Sequence, residues 1–318
     1  MHKIGILPII LFIEIIISGC GTRAEKKESL PFPVVEPPVL ITDTEKKLDY
    51  LSEHCWDEFF ALSPSEKKDS NLINGISLAE VRNNYVNYVQ ILSSVSHSQA
   101  KKSISGFYTK VAETERKDSL SNTFETMVEF TETYLYDPNS PFRDEDIYAV
   151  FAQKMSSSEF LRNEEREKYR IIAQKCALNS VGTPAADFLF SDEKGRNYSL
   201  HKIEAEFTIL FFSNPDCVAC ESVISNLNSN DKLTQLVKAE RIKVLNIYID
   251  EDLTAWYKYM PIYPKTWING YDPNLSVKND ELYNIRAIPS LYLLDDGKNV
   301  ILKDATLEKI YNFIQNIK

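Results

Sequence analysis

Two cysteines separated by two residues offer the clearest chemistry in this chain. Cys217 and Cys220 occur in the stretch NPDCVACE, directly after the apolar run FTILFFS at residues 207–213. Such a run is typical of a buried strand, so Cys217 is predicted at the start of the helix that follows. Unpaired backbone N–H groups and the helix dipole favour a thiolate there, and Cys220 is within disulfide reach. The pattern is typical of reversible thiol-disulfide exchange.

Two other uses of this cysteine pair are weaker. A zinc or iron–sulfur site usually needs four ligands, and the 4 histidines lie at no metal-ligand spacing from each other or from a cysteine. His54, beside Cys55, is therefore interpreted as a structural histidine, and no metal or other cofactor is predicted. A permanent disulfide within CVAC would close too small a loop to stabilise the fold much.

Cys55 and Cys176 are two further cysteines, each in a segment predicted to be helical. They could form a structural disulfide that clamps the first and last helices of a bundle, as an oxidising compartment permits. They fit equally well as two small buried apolar side chains. The sequence leaves both alternatives open.

The composition describes a globular chain with room for two domains. It has 318 residues, of which 43% are hydrophobic and 26% charged. The formal net charge of -10 argues against sequence-independent binding of nucleic acid, which depends on clustered Lys and Arg. No nucleic-acid partner is predicted.

Residues 1–20 have the pattern of a targeting segment. An apolar run at residues 4–17 is shorter than the roughly 20 residues of a membrane-spanning helix. It leads to ISGC, which resembles the end of a bacterial lipoprotein signal peptide. This resemblance implies cleavage before Cys20 and lipidation of that residue, which would anchor the protein in the cell envelope on the periplasmic side. Gly21 after the cysteine implies the outer membrane.

The next segments are a spacer and a helical domain. Residues 21–44 contain four closely spaced prolines, which favour extended chain, and are predicted to be a tether. Residues 45–178 have apolar residues at helical intervals, with a capping box from Ser77 to Glu80, and predict a bundle of five or six helices. Its regularly spaced aromatic residues are interpreted as core: Tyr85, Tyr88, Phe107, Phe124 and Tyr134.

Residues 179–318 alternate strands and helices. Buried strands are predicted at residues 207–213 and 242–250, and a strand pair is predicted about each of two turns, at residues 192–195 and at Gly297. This order predicts a mixed central sheet with helices on both faces. The expected architecture is an all-α domain followed by an α/β domain.

The CVAC pair and the later stretch YNIRAIPSLYLLDDGKNVI give residues 181–318 a family likeness. Together they resemble a thioredoxin-fold protein of the TlpA-like type. The resemblance implies that Cys217 is the nucleophile and Cys220 the resolving thiol. It also implies a cis-proline at Pro289 packed against the pair, with Ile288 offering backbone groups to a bound substrate chain.

The likeness extends to the helical half. HCWDEF at residues 54–59 and YLYDPNSPFRDEDIY at residues 134–148 resemble segments of bacterial lipoproteins that pair a helical domain of unknown function with a C-terminal thioredoxin-like domain. The match covers nearly the whole mature chain.

Two departures from the thioredoxin pattern bear on the mechanism. Asp216 stands where thioredoxin has Trp, and its carboxylate either disfavours ionisation of the neighbouring thiol or caps the helix. Phe211 replaces the buried acid six residues before the first cysteine, which leaves Glu221 as the nearest candidate in sequence for proton transfer. These departures favour a reductase or isomerase over a strong oxidant, whose thiolate is heavily stabilised.

The sequence therefore predicts a membrane-tethered thiol-disulfide oxidoreductase that acts through a mixed disulfide on Cys217. Its expected partners are envelope protein thiols or disulfides, an unidentified electron donor, and the membrane that holds the lipid anchor. The alternative is a non-catalytic envelope binding protein, whose helical domain recognises a partner on a thioredoxin-like scaffold. A thiol peroxidase is a weaker alternative, because only Ser213 precedes the nucleophile closely and Pro215 separates them.

Overall fold

A helical half precedes an α/β half. The computed structural model describes residues 29–62 and 71–318, so the predicted signal peptide and Cys20 lie outside the described residues. Within these ranges, the helices of the first half are α1 Thr44–His54, α2 Asp57–Ala61, α3 Leu78–Ser94, α4 His97–Lys117, α5 Thr123–Thr131, α6 Glu145–Ser156 and α7 Asn163–Cys176. A π-helical turn at Glu132–Tyr136 continues α5. None of the described helices is long and apolar enough to cross a membrane.

Polar side chains fix where several of these helices begin. In four helices the N-cap side chain accepts a hydrogen bond from the backbone N–H three residues later, a donor that has no partner within the first turn. These N-caps are Asp43, Ser77, Ser96 and Asp144. Ser77 thus caps α3 as predicted. Glu80 does not complete the capping box with it; its carboxylate accepts the N–H of Phe32 at 2.8 Å.

Part of the predicted tether is packed on the helical half. Leu30 forms a bridge to a small hairpin made of β1 Leu72–Ile73 and β2 Ile76–Ser77. The ring of Phe32 lies 5.0 Å from that of Trp56. The predicted tether is therefore packed against the helical half at these positions, because an aromatic ring among the prolines is stabilised by burial against the core.

The helical half packs around aromatic side chains. Tyr85 and Phe107 are 0% and 4% exposed, as expected for core residues. The hydroxyls of Tyr85 and Tyr108 both bond to the hydroxyl of Thr131 in α5. Burial raises the pKa of Tyr108 well above its ordinary value, so its hydroxyl stays protonated. This core joins α3, α4 and α5 to α6.

The second half is a seven-stranded mixed sheet. Its strands are β3 Leu189–Ser191, β4 Asn197–Ser199, β5 Phe207–Phe212, β6 Ile242–Tyr248, β7 Ile268–Tyr271, β8 Ser290–Leu294 and β9 Val300–Leu302. Their lateral order is β4-β3-β7-β6-β5-β8-β9. β6 runs parallel to both β5 and β7, and the other neighbours pair antiparallel. Both predicted buried strands and both predicted strand pairs are present.

β5 contributes to both layers of the core. Ile209 and Phe211 face one side of the sheet, and Leu210 and Phe212 face the other, because successive side chains of a strand alternate. The first layer is covered by α8 Val218–Asn228, α9 Asp231–Lys238, α10 Leu253–Tyr259 and α12 Leu307–Gln315. The second layer is covered by α11 Ser276–Asn279 and by residues 185–188. The predicted α/β fold with helices on both faces is confirmed.

β7 is a strand that the sequence does not predict. It contains Asn269 followed by Gly270, a pair that normally marks a turn. A Cβ atom on Gly270 would lie 2.7 Å from the ring of Phe190 and 2.9 Å from the carbonyl oxygen of Ser191. The glycine is therefore required for close pairing with β3.

The structural disulfide considered for Cys55 and Cys176 is absent, and that alternative is wrong. Cys55 follows α1 and packs on the aromatic core, whereas Cys176 ends α7 and lies 3.8 Å from the amide nitrogen of Asn284 in the second half. The two free thiols therefore have different surroundings. Burial raises the pKa of each to about 12, so both behave as small apolar side chains.

Buried charges join the two halves. The Asp146 carboxylate in α6 is 2% exposed; it accepts the Val181 N–H at 2.8 Å and lies 3.0 Å from Nε2 of His97. Its other oxygen is 3.7 Å from Nζ of Lys303, which is also buried. Burial raises the pKa of Asp146, but the His97 bond, the Lys303 charge and the Val181 N–H outweigh it and lower the pKa to about 2. The ionised carboxylate therefore stabilises the junction.

Replacing Asp146 with Asn should lower the free energy of unfolding at pH 7 by about 2 to 3 kcal/mol, the value of a pKa reduced from 3.8 to about 2. A depressed carboxyl pKa stabilises the fold above the unfolded pKa, and this contribution is lost as the pH falls from about 4 to about 2. Urea unfolding at a series of pH values measures the difference between the two proteins.

The matched control is Glu167→Gln, which removes an exposed ion pair with Arg170 and should have a much smaller effect at every pH. If Asp146→Asn lowered the free energy of unfolding as much at pH 2 as at pH 7, the stabilising role of the ionised Asp146 carboxylate would be contradicted.

Candidate active site

Cys217 and Cys220 form a disulfide at the N-terminus of α8. Their Cα atoms are 5.2 Å apart, within the usual span of a disulfide. Cys217 is the N-cap of α8, and its sulfur accepts the backbone N–H of Cys220 at 3.1 Å. Cys217 is half-buried, whereas Cys220 is 1% exposed. A partner can therefore reach Cys217 more easily than Cys220, which is the asymmetry that stepwise exchange requires.

The floor beneath the pair is apolar. Cys220 belongs to the hydrophobic cluster on the α8 side of the sheet, together with Phe211 of β5 and Leu291 of β8. Phe211 is fully buried, so the position where thioredoxin keeps an acid is apolar here. A proton for the sulfurs therefore has to arrive from the exposed side of the pair.

The Ile288–Pro289 peptide bond is cis and lies beside the disulfide. The carbonyl oxygen of Ile288 is 4.0 Å from Sγ of Cys217. β8 begins directly after Pro289 and pairs antiparallel with β5, so that Ser290 is opposite Phe212. This register brings the start of β8 to the end of β5, from which the chain continues to Cys217. Ile288 therefore lies next to any chain that is bonded to Cys217.

Asp216 does not cap α8, so that interpretation is wrong. The residue with the extended backbone that an N-cap needs is Cys217, with φ -93° and ψ 102°. Asp216 precedes it in the left-handed region, with φ 56°, a conformation that Asp tolerates better than most residues. Its side chain is exposed, one residue before Cys217.

Glu221 is held by a tyrosine. Its carboxylate accepts a hydrogen bond from the hydroxyl of Tyr259 in α10. Burial and this bond raise the pKa of Tyr259, so the tyrosine remains the donor of the pair. Glu221 itself is on the exposed side of the first turn of α8. Its part in proton transfer stays a prediction.

Ser213 is engaged in a buried polar chain. It is 0% exposed, and its hydroxyl donates to the side-chain oxygen of Asn246 at 2.5 Å. Asn246 in turn donates to the side-chain oxygen of Asn269 at 3.1 Å. A hydroxyl held in this way is poorly placed to assist a peroxide at Cys217, which weakens the thiol peroxidase alternative.

Arg286 and Glu145 are residues near the site that the sequence does not reveal. Arg286 precedes Pro289 by three positions, and its Nε donates to the Glu145 carboxylate at 2.6 Å, across a sequence separation of 141 residues. Glu145 is in the stretch DEDIY, where acidic residues have an ordinary explanation at the start of a helix. No local pattern connects this stretch with IRAIP.

The sheet, the dithiol at a helix N-terminus and the cis-proline beside it define the class of thioredoxin-fold proteins. A thioredoxin-like protein from Bacteroides caccae ATCC 43185 has a similar solved structure, with a TM-score of 0.76 and 32% sequence identity, covering 90% of this chain and 99% of that chain. Residues 18–179 match the family described as "Domain of unknown function (DUF5106)". The chain belongs to the DUF5106 family.

The second half is also similar to known redox proteins. The thiol-disulfide oxidoreductase ResA of Geobacillus kaustophilus (strain HTA426) is 25% identical over 142 residues, which are 44% of this chain and 79% of that protein. The ResA protein of Geobacillus thermodenitrificans (strain NG80-2) matches with the same identity and coverage. These likenesses support the general class of thiol-disulfide oxidoreductases for this half.

In the reduced protein at pH 8, Cys217 should be the first cysteine to be alkylated, because it is the half-exposed thiol at a helix N-terminus. Cys55 and Cys176, with pKa values of about 12, should react at least about 100 times more slowly than an ordinary thiol. Timed quenching with iodoacetamide followed by peptide mass spectrometry measures the order.

A parallel reaction in urea, where Cys55, Cys176, Cys217 and Cys220 should react alike, is the control for intrinsic reactivity. Labelling of Cys176 as early as Cys217 in the folded protein would refute this assignment of exposure and pKa.

Proposed function

We propose that this protein is a thiol-disulfide oxidoreductase of the cell envelope that works through the Cys217–Cys220 dithiol. The observation that carries the proposal is the geometry at Cys217. Its half-exposed sulfur stands at a helix N-terminus, 3.1 Å from the N–H of Cys220 and 4.0 Å from the Ile288 carbonyl oxygen. The first contact suits a thiolate, and the second brings a backbone acceptor to a bound chain.

The proposed reaction is two successive exchanges. The Cys217 thiolate attacks one sulfur of a substrate disulfide; the substrate S–S bond breaks, and its other sulfur leaves as a thiolate that takes a proton from solvent. Cys220 then loses its proton and attacks the Cys217 sulfur, which forms the protein disulfide and releases the second substrate thiol. Two electrons pass from the protein to the substrate. An external dithiol donor must reduce Cys217–Cys220 again.

The direction we propose is reduction or isomerisation of substrate disulfides. A strong oxidant needs a thiolate that is heavily stabilised. Here the exposed Asp216 carboxylate is next to Cys217 and opposes the helix dipole, and the buried Phe211 adds no polar group beneath the pair. Both features favour a dithiol that gives up its electrons readily.

The proposed location is the envelope, with the protein anchored through lipidated Cys20 on the periplasmic side of the outer membrane. The support is the apolar run at residues 4–17 that ends at ISGC and is followed by Gly21. Proteins with thiols or disulfides in the same compartment are the proposed partners, together with an unidentified electron donor. The cysteines themselves carry the electrons, so the proposal needs no cofactor.

Replacing Cys217 with Ser should reduce insulin reduction by dithiothreitol to the uncatalysed rate, because no attacking thiolate remains. In the Cys220→Ser variant, reduced beforehand and freed of dithiothreitol, the first exchange should stay intact, so a Cys217–insulin mixed disulfide should accumulate on non-reducing gels. The Cys55→Ser variant is the matched control, since that thiol is free and packs against the core of the helical half, and it should keep the wild-type rate.

Catalysis that survives in Cys217→Ser would refute the proposed reaction. If wild-type protein also failed to accelerate insulin reduction, the binding protein alternative would be favoured, in which the thioredoxin-like half is a scaffold with idle cysteines.

Replacing Cys20 with Ser should move the protein from the membrane fraction to the soluble fraction of its native cells, because the acyl chains would have no attachment site. Cell fractionation with an antibody to the protein measures the distribution. Unchanged membrane association of the variant would contradict anchoring through Cys20.

A further inference from the structure

A buried ion pair links the helical half to the segment that precedes the cis-proline. Arg286 Nε donates to the Glu145 carboxylate at 2.6 Å, and Arg286 Nη2 donates to the Asp304 carboxylate at 2.7 Å. The side chains are 9%, 0% and 10% exposed for Arg286, Glu145 and Asp304. The guanidinium of a buried Arg needs such partners, and its planar fork fixes their directions.

The same carboxylates hold residues on both sides of Pro289. Glu145 Oε1, which accepts from Arg286, also accepts from the side-chain amide of Asn284 at 2.8 Å. After the proline, the Ser290 hydroxyl donates to Asp304 at 3.3 Å. The segment that carries Ile288 and Pro289 is therefore fastened at both ends to one charge network.

Glu145 is itself firmly placed. It is the first residue of α6, whose N-terminus is capped by Asp144, and its second oxygen lies 3.2 Å from Nζ of Lys303. The ring of Tyr136, also in the helical half, lies 4.4 Å below the Arg286 guanidinium. Two residues of the helical half thus hold the Arg286 side chain together with Asp304 of the second half.

From these contacts we infer that Glu145 is a positioning residue for catalysis: acting through Arg286, it holds the backbone of Ile288 in place for a bound substrate chain. The inference rests on the proposed function and assigns a task to the helical half. A misplaced binding group weakens interactions that depend on backbone geometry, whereas exchange with a small disulfide needs the sulfurs alone. Loss of Glu145 should therefore affect large disulfide substrates selectively.

The test compares Glu145→Gln with the wild type in single-turnover reactions of the pre-reduced, full-length mature protein. The half-saturating concentration of insulin should rise about tenfold, the order expected when a binding group is displaced, while the rate at saturation changes less than about twofold. The rate with oxidised glutathione should stay within about twofold of the wild-type rate. The equilibrium reduction potential of Cys217–Cys220 should equal the wild-type potential within experimental error.

Two further variants separate positioning from general damage. Arg286→Lys keeps the charge but loses the two-pronged geometry, and should raise the insulin half-saturation in the same way. The double variant should be no worse than either single one if both act through one contact. Lys309→Gln removes a different ion pair between the halves, with Asp144 at 3.5 Å, and should leave half-saturation unchanged.

Circular dichroism and urea unfolding establish that each variant is folded, and Arg286→Lys serves as the test if Glu145→Gln does not fold. Equal insulin half-saturation in the wild type and the folded variants would overturn the inference while leaving the proposed function intact. Parallel losses with insulin and with glutathione, or a shifted reduction potential, would overturn it by indicating damage to the dithiol. Wild-type protein that reduces neither substrate would overturn the proposed function and this inference together.

Discussion

The antiparallel pairing of β5 with β8 is the constraint on which the site depends. β5 leads into the CVAC helix, and β8 follows the cis-proline, so the register that sets Ser290 opposite Phe212 also brings Ile288 to Cys217. The alternation of β5 side chains then puts Phe211 in the core beneath Cys220. The pairing of β5 with β8 thus fixes how deeply Cys220 is buried and how close Cys217 lies to the backbone of Ile288.

The helical half is joined to this site through buried charge. Removing one partner from such a network leaves an uncompensated charge in the interior, although the network as a whole adds little net stability compared with apolar packing. What it supplies is one defined geometry between the two halves. Asp146 holds the chain at Val181, where the second half begins, and Glu145 holds Arg286 beside the cis-proline.

Local sequence patterns predicted those parts of the fold that depend on neighbours in the chain. The apolar run at residues 207–213 and the CVAC spacing were enough for β5 and for the start of α8. The cis form at Pro289 followed from family resemblance alone, since only a small minority of X–Pro bonds are cis.

Contacts between distant segments were not predictable in this way. The Glu145–Arg286 pair spans 141 residues, and each partner has an ordinary local explanation, one as an acidic residue at a helix start and the other as a charged residue near a strand. β7 was not predicted, because the pair Asn269-Gly270 is typical of a turn. In the structure Gly270 instead allows β7 to pack closely against β3. Phe32 likewise lies in a segment predicted to be a tether, and its contact with Trp56 is visible only in the folded structure.

The central claim is that Cys217 and Cys220 form a working dithiol, and an equilibrium redox titration against glutathione buffers tests it most directly. The mature protein, with Cys55 and Cys176 replaced by Ala, would be equilibrated in each buffer and its free thiols alkylated. The fractions with a reduced and an oxidised Cys217–Cys220 pair would then be measured. The account predicts one reversible two-electron transition at roughly -270 to -180 mV, the range of known reductases and isomerases. A disulfide that cannot be reversibly formed and reduced would contradict it, and a potential near -120 mV would contradict the proposed direction of electron flow.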